Sequence, residues 1–515
     1  MTVEFNPTHQ RHLSTFPKAY TMLRKIRITL ATLFFVGITA LFLDFTGTLP
    51  AYLGWMAKIQ FIPALLAVNA TVIVGLLLLT FILGRVYCSA ICPLGIMQDT
   101  ISWLAGRRNK RRFTYSKGKT VLRIIVFILF AVTLIANIAW LAALIEPYSA
   151  YGRMVNSLLA PLYGWGNNLL AYFAERADSY LFYSTDVWLK SIATLAVAAT
   201  TFVTILILAW RNGRTWCNTI CPVGTLLGFV ARYSLFKPTI DTSKCSGCNL
   251  CSRSCKASCI DSKNKNIDYS RCVACMDCLE VCKNRAIDYR YTGWTKTKKQ
   301  QTKETTNNSR REFLSAGAMI TASSLLAQAN KKVDGGLAII EDKKIPERTT
   351  PVVPVGAGTL KKFSTHCTAC QLCVSKCPNN VLRPSNSIDR FMQPEMSFER
   401  GFCRTACTAC ADVCPNGAIR PIVSEQKSST KIGTAVWIAD NCIANKNGVT
   451  CNNCERHCPN GAIKMIRKKD GDKNAPRIPM IDTERCLGCG ACEYVCPARP
   501  LSAIFVEGIE EHRTI

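Results

Sequence analysis

The spacing C-x2-C-x2-C-x3-C, written four times into this chain, constrains its fold more than any other feature. It occurs at Cys245, Cys248, Cys251 and Cys255; at Cys272, Cys275, Cys278 and Cys282; at Cys367, Cys370, Cys373 and Cys377; and at Cys486, Cys489, Cys492 and Cys496. Two variants, Cys403, Cys407, Cys410 and Cys414 and Cys442, Cys451, Cys454 and Cys458, have a wider first gap. Three thiolates on one short loop can wrap one face of a [4Fe-4S] cube, while the fourth cysteine is expected to start a helix pointing away and to ligate the neighbouring cluster. Zinc modules pair two C-x2-C knuckles, and a disulfide framework has no reason to repeat this run. Six quartets therefore imply up to six [4Fe-4S] clusters, held in bacterial-type ferredoxin domains of the α+β class.

The same crossing rule predicts partners. Cys282 should complete the set of Cys245, Cys248 and Cys251, and Cys255 that of Cys272, Cys275 and Cys278. Cys259 is an extra thiol beside Cys255, and neither Cys255 nor Cys282 precedes a proline, so the fourth ligand stays open between Cys255 and Cys259. In the later quartets a proline follows each time, at Pro378, Pro415, Pro459 and Pro497. There a nested arrangement is expected, with Cys496 completing the first cluster, Cys377 the last, and the two inner quartets exchanging their last cysteines.

All but four of the 29 cysteines lie from Cys245 onward, and the earlier part is rich in Leu, Ile, Val, Phe and Ala. Four apolar stretches, Ile26–Phe45, Ile62–Leu83, Val121–Ile145 and Ile192–Trp210, match the ~20 residues needed to cross a bilayer. Arg24, Lys25 and Arg27 flank the first, and Arg107, Arg108, Lys110, Arg111 and Arg112 follow the second. The connection Pro147–Leu189 carries only Arg153 and Arg176 against Glu175, Asp178 and Asp186. The positive-inside rule then puts the N-terminus, the second connection and the chain just after Trp210 on the cytoplasmic side. A net charge of +29 would otherwise raise nucleic acid as a partner, but much of it flanks the spans and no nucleic-acid module accompanies it, so none is expected.

GRVYCSAICPLG (Gly84–Gly95) ends the second stretch and GRTWCNTICPVG (Gly213–Gly224) the fourth. Both obey G-R-x-aromatic-C-x3-C-P-x-G, so the membrane part reads as two duplicated hairpins, each delivering a cysteine pair to the same face. Cys88, Cys92, Cys217 and Cys221 have three readings: redox-active thiols, ligands to a further metal site joining the two halves, or structural thiols packed under the first ferredoxin.

The fold class is thus an α-helical membrane domain of about four transmembrane helices (1–237) with α+β ferredoxin domains. A two-cluster domain at 238–290 stays cytoplasmic, and a polar linker occupies 291–308. Residues 309–330 contain SRREFL, whose Arg310 and Arg311 read as a twin-arginine export signal or a fifth membrane helix. After a second linker, 331–358, comes a four-cluster domain at 359–515. Export of that domain through the Tat translocase would place it in the periplasm of a bacterial inner membrane.

Residues from about Arg24 to Tyr289, with the spans, both C-x3-C-P motifs and the following ferredoxin, resemble NapH, the membrane subunit of the NapGH quinol dehydrogenase that serves periplasmic nitrate reductase. NosR, MauN and CcoG share the C-x3-C-P feature. Residues from about Ser309 to Ile515, with SRREFL and PVGAGTLKKFSTHCTACQLC, resemble NapG. The resemblance implies oxidation of quinol from the quinone pool and delivery of electrons to a periplasmic cytochrome or reductase. The alternatives are an assembly factor that reduces another protein's metal centre and a docking platform without turnover. A quinol sheds two protons with its electrons, so its site wants an acid or base at the membrane edge. IEPYSAYGR (Ile145–Arg153) offers Glu146 for that role, or serves as an interfacial anchor.

Overall fold

The computed structural model describes residues 16–108, 113–179, 181–293, 342–468 and 475–515. The proposed export segment, with Arg310 and Arg311, lies outside the described residues.

Helix α1 (Phe16–Leu43) is an unbroken 28-residue helix, and α11, the Ile192–Asn212 helix, has 21 residues. These two are long and apolar enough to cross a membrane. The other two apolar stretches are interrupted. The second is split into α3 (Phe61–Leu66) and α4 (Ala70–Leu83) around Val68, whose φ is +54°. The third is split into α7 (Thr120–Ile135) and α8 (Ala139–Ile145) around Asn137, at φ +60°. A left-handed residue cannot continue a right-handed helix, so the chain turns there. Helices α4 and α7, of 14 and 16 residues, reach only about 21–24 Å at 1.5 Å per residue. Leu33, Val36, Leu78, Val121, Ile125, Ile128, Leu129, Val132 and Ile207 are exposed on these helices.

The remaining helices of the bundle are α2 (Leu49–Lys58), α5 (Val86–Ala90), α6 (Pro93–Arg108), α9 (Pro147–Met154), α10 (Ala160–Arg176), α12 (Thr215–Thr219) and α13 (Pro222–Ala231). Gly84 and Gly213, the first residues of the two cysteine motifs, end α4 and α11 at φ +74° and +68°. Each motif then makes one helical turn, α5 or α12, carrying its first cysteine. The second cysteine precedes α6 or α13, where a proline occupies the first helical position, as its fixed φ and missing N–H favour.

Two ferredoxin units flank the bundle. In the first, the strand Phe236–Ile240 pairs antiparallel with Ile287–Tyr291, Ile240 opposite Ile287. Among the described residues the second contains three strand pairs: Leu382–Pro384 with Pro394–Met396, Thr430–Trp437 with Ile504–Thr514, and Ile463–Arg467 with Arg477–Ile481.

The units sit at opposite ends of the helices. Near the start of α1, Arg24 Nε bonds Asp277 of the first unit (3.0 Å). Lys256 of that unit reaches both Asp277 (3.0 Å) and Asp99 of α6 (3.4 Å), and Asp99 also holds Arg27 and Arg214. Just past the end of α1, Asp44 Oδ2 pairs with Lys376 of the second unit at 2.8 Å, both side chains buried. From Arg24 to Asp44 is 20 residues, or roughly 30 Å of helix, the thickness of a bilayer's hydrocarbon core. Helix α11 repeats the arrangement. Ser191 at its start donates to Asn386 of the second unit (2.9 Å), and Arg214 past its end donates its backbone N–H to Lys256 O of the first (2.9 Å).

Removing one partner of a buried ion pair leaves an uncompensated charge and costs about 3–5 kcal/mol. Asp44→Ala is therefore expected to loosen the second unit by that order in denaturant unfolding of the solubilised chain. The double variant Asp44→Asn/Lys376→Met, which removes both charges and keeps the oxygen that accepts the Thr46 and Gly47 N–H groups, should recover part of the loss.

Candidate metal centres

The loop that carries each regular cysteine triplet has a common backbone. In all four, left-handed residues flank the middle cysteine: Gly247 and Asn249, Ala274 and Met276, Ala369 and Gln371, Gly488 and Gly490. Alternating right- and left-handed residues turn successive amides inward into a concavity that suits an anion. Ala274, Met276, Ala369 and Gln371 hold this conformation without the freedom of glycine, a strain typical of ligand-binding loops. Each triplet runs into a one-turn helix, Leu250–Ser254, Asp277–Val281, Leu372–Lys376 or Ala491–Val495, whose C-cap is the fourth cysteine in extended conformation, so that cysteine ends a helix instead of starting one. The two variant runs lack the flanking left-handed pair among the described residues.

Cys245, Cys248 and Cys251 line one void with Cys282, and Cys272, Cys275 and Cys278 line another with Cys255, as the crossing rule expects. Cys259 borders the second void too, its sulfur 3.4 Å from that of Cys255. In the second unit the nested arrangement is overturned. Cys414 joins Cys367, Cys370 and Cys373, and Cys377 joins Cys403, Cys407 and Cys410. Cys458 lines a void with Cys486, Cys489 and Cys492, and Cys496 one with Cys442, Cys451 and Cys454. The fourth cysteine of each regular run leaves a helix of five residues, only about 7 Å long. It meets the triplet adjacent in sequence instead of one a hundred residues away, so the unit is two successive two-cluster modules.

Among the described residues no group of three His, Cys, Asp or Glu side chains is drawn tightly enough for a single metal ion. Thiolates around one zinc, at ~2.3 Å from the metal, would crowd together, whereas a multi-iron cube spaces its four ligands around a larger body. Four-thiol voids thus fit clusters better than zinc. Burial pushes the thiols of Cys251 up to about 11 and Cys370 up to about 12. Bound metal reverses this by stabilising the thiolate form.

The structure also brings together Cys88, Cys92, Cys217 and Cys221, all buried and within electrostatic reach of one another. Around them the two motifs make reciprocal contacts. Arg85 donates to Cys217 O (3.4 Å), and Arg214 donates to Cys88 O. A Cβ on Gly95 would collide with Cys88 O, and one on Gly224 with Cys217 O, so these motif glycines permit the close approach. Gln98 Nε2 donates to Cys217 Sγ (3.1 Å) and Gly224 N to Cys221 Sγ (3.3 Å).

Glu146 is the N-cap of α9. It accepts the Tyr148 N–H at 3.0 Å and the Ser149 N–H, and it is almost fully buried. Helix α9 meets the second unit directly, with Ser149 Oγ donating to Thr368 Oγ1 (2.8 Å), while Asn156, just beyond α9, donates to Gln371 (3.1 Å). Three fully buried arginines, Arg85, Arg153 and Arg214, are functional candidates that attention to cysteines alone passes over. Arg153 donates to Ala143 O (2.8 Å) and lies within electrostatic reach of Cys370.

Comparison with known proteins accords with this chemistry. A model described as a 4Fe-4S binding domain matches residues 66–112 and 194–241, and a 4Fe-4S dicluster domain matches 366–444 and 449–499. The ferredoxin-type protein MauM of Methylophilus methylotrophus is 31% identical over 165 residues, 31% of this chain and 72% of the relative. The chain belongs to this family of ferredoxin-type proteins. The chain is also similar to MauN of Paracoccus denitrificans, 28% identical over 206 residues (40% of this chain, 57% of MauN). NapH of Escherichia coli is 25% identical over 197 residues (38% of this chain, 55% of NapH). The chain thus spans little more than half the length of these MauN and NapH relatives. No solved structure matches. The chain is thus a ferredoxin-type iron–sulfur protein related to NapH and MauN, with two helices long and apolar enough to cross a membrane.

The module arrangement has a spectroscopic consequence. Cys414→Ser should alter the same cluster signal in paramagnetic resonance as Cys370→Ser, and Cys496→Ser the same signal as Cys454→Ser. Matching effects of Cys496→Ser and Cys370→Ser would restore the nested arrangement. In the first unit Cys255→Ser should disturb a cluster that Cys259→Ser leaves intact, because Cys255 lies within electrostatic reach of both Cys275 and Cys278.

Proposed function

We propose that this protein oxidises quinol at the membrane and passes the electrons through its [4Fe-4S] clusters to a periplasmic cytochrome or reductase. The observation that carries the reading is the placement of the two ferredoxin units at opposite ends of α1, about 30 Å apart along the helix. In the topology that the basic flanks favour, the first unit lies in the cytoplasm and the second in the periplasm, after export through the Tat translocase directed by Arg310 and Arg311. The membrane domain then comprises four crossings, two of them broken, in a NapH-like half joined to a NapG-like half.

The clusters, where bound, supply one-electron transfer. The chain's own residues fix where each can sit. The Asp99 and Asp277 ion pairs lock the first unit to the bundle, and Asp44, Ser149, Asn156 and Ser191 lock the second. Glu146 stands between the membrane domain and the second unit, within electrostatic reach of Tyr87 and of Cys370, and is the proton acceptor in this reading.

Reduction of the clusters by a menaquinol analogue, followed optically in the purified full-length protein, tests the reading. Rapid bleaching is expected. Glu146→Gln should slow it on the order of 10²-fold, the usual contribution of a general base, with iron content unchanged. Unchanged turnover removes Glu146 from the role. No bleaching of a fully loaded protein by quinol favours an assembly factor or a docking platform without turnover.

A further inference from the structure

We propose that Cys88, Cys92, Cys217 and Cys221 together hold one further iron–sulfur cluster, buried in the helical domain between the two ferredoxin units. The proposal rests on the cluster reading of the quartets and adds a seventh site that the quartet spacing does not contain.

The first argument is one of ligand number. Each of the two 4Fe-4S binding domain matches, 66–112 and 194–241, contains just two cysteines. A cube takes four thiolates, so neither segment suffices alone. The fold supplies the other two by packing the segments against each other through the Arg85–Cys217 and Arg214–Cys88 contacts.

Charge provides the second argument. Arg85 is fully buried, and among the described residues no carboxylate pairs with it. Its guanidinium touches Asn218 Oδ1 (3.0 Å), Ser270 O (3.1 Å), Cys217 O and, at 3.8 Å, Cys88 Sγ, and its Nε has no partner. An unpaired buried charge is costly. Four thiolates around a cluster carry a net negative charge, which would neutralise Arg85 in place. Arg214 is also fully buried, but Asp99 already pairs with it, and Asp99 is shared with Arg27 and Lys256. Neutral structural thiols or a disulfide would leave Arg85 uncompensated.

Position is the third argument. Arg85 bridges this site to Ser270, two residues before the cluster ligand Cys272 of the first unit. On the other side Tyr87, adjacent to Cys88, lies within reach of Glu146, which in turn lies within reach of Cys370 of the second unit. A centre at the four thiols divides the ~30 Å between the units into two shorter steps. Each is a one-electron exchange between neighbouring centres, one oxidised as the other is reduced, with no bond made or broken.

The test is iron content, measured with Mössbauer spectra on anaerobically reconstituted full-length protein. At four irons per cluster, seven centres give about 28 irons per chain and six give about 24. The proposal expects the higher value in the wild type and a fall of about four in Cys92→Ala/Cys221→Ala, with the remaining spectrum retained. A wild-type value of about 24, or the same content in the double variant, overturns it. If the double variant does not accumulate, the wild-type count decides, together with alkylation of the unfolded protein without reductant. Recovery of these four cysteines as disulfides overturns the proposal. No quinol enters these measurements, so they stand apart from the dehydrogenase reading.

Discussion

A buried set of four thiolates is tolerable only where the protein brings positive charge or oriented dipoles to meet it. Much of this structure can be understood from that requirement. In the regular triplets it is met by the backbone, which alternates its handedness around Cys248, Cys275, Cys370 and Cys489 to turn amides inward. At the second cysteine of each membrane motif it is met by a helix N-terminus, α6 after Cys92 and α13 after Cys221. Guanidinium groups are buried near two of the thiols as well, Arg85 beside Cys88 and Arg153 within electrostatic reach of Cys370.

The second constraint is distance. Two ferredoxin units fixed to the two ends of one helix cannot approach each other, so the bundle sets the separation between them. Polar side chains at both ends make that separation rigid: Arg24 and Arg27 on one side, Asp44 on the other. The broken helices α3–α4 and α7–α8 serve the same end differently. Beside the first break Tyr87 on α5 hydrogen-bonds Gln60 (3.0 Å), and after the second α9 reaches the second unit.

The sequence made the triplets legible because their spacing follows directly from the geometry of a cube. It also made the crossing in the first unit legible, since only two quartets could exchange there. In the second unit four quartets admit several exchanges, and spacing says nothing of which triplets are neighbours in space, so the nested arrangement failed for Cys377, Cys414, Cys458 and Cys496. The breaks at Val68 and Asn137 were invisible because hydropathy reads composition, and a left-handed valine within an apolar run has no compositional mark. Arg85 and Arg214 stood in plain view in the repeated motif, but only the packing shows that each serves the other motif's cysteine.

The claim at the centre of this account is that the two ferredoxin units lie on opposite sides of a membrane. Reporters active on only one side, fused in parallel after Ile515 and inserted in the first unit's Asp261–Asn266 turn, test it most directly. The account predicts that the Ile515 fusion reports the periplasm and the insertion the cytoplasm. The same compartment for both would contradict it.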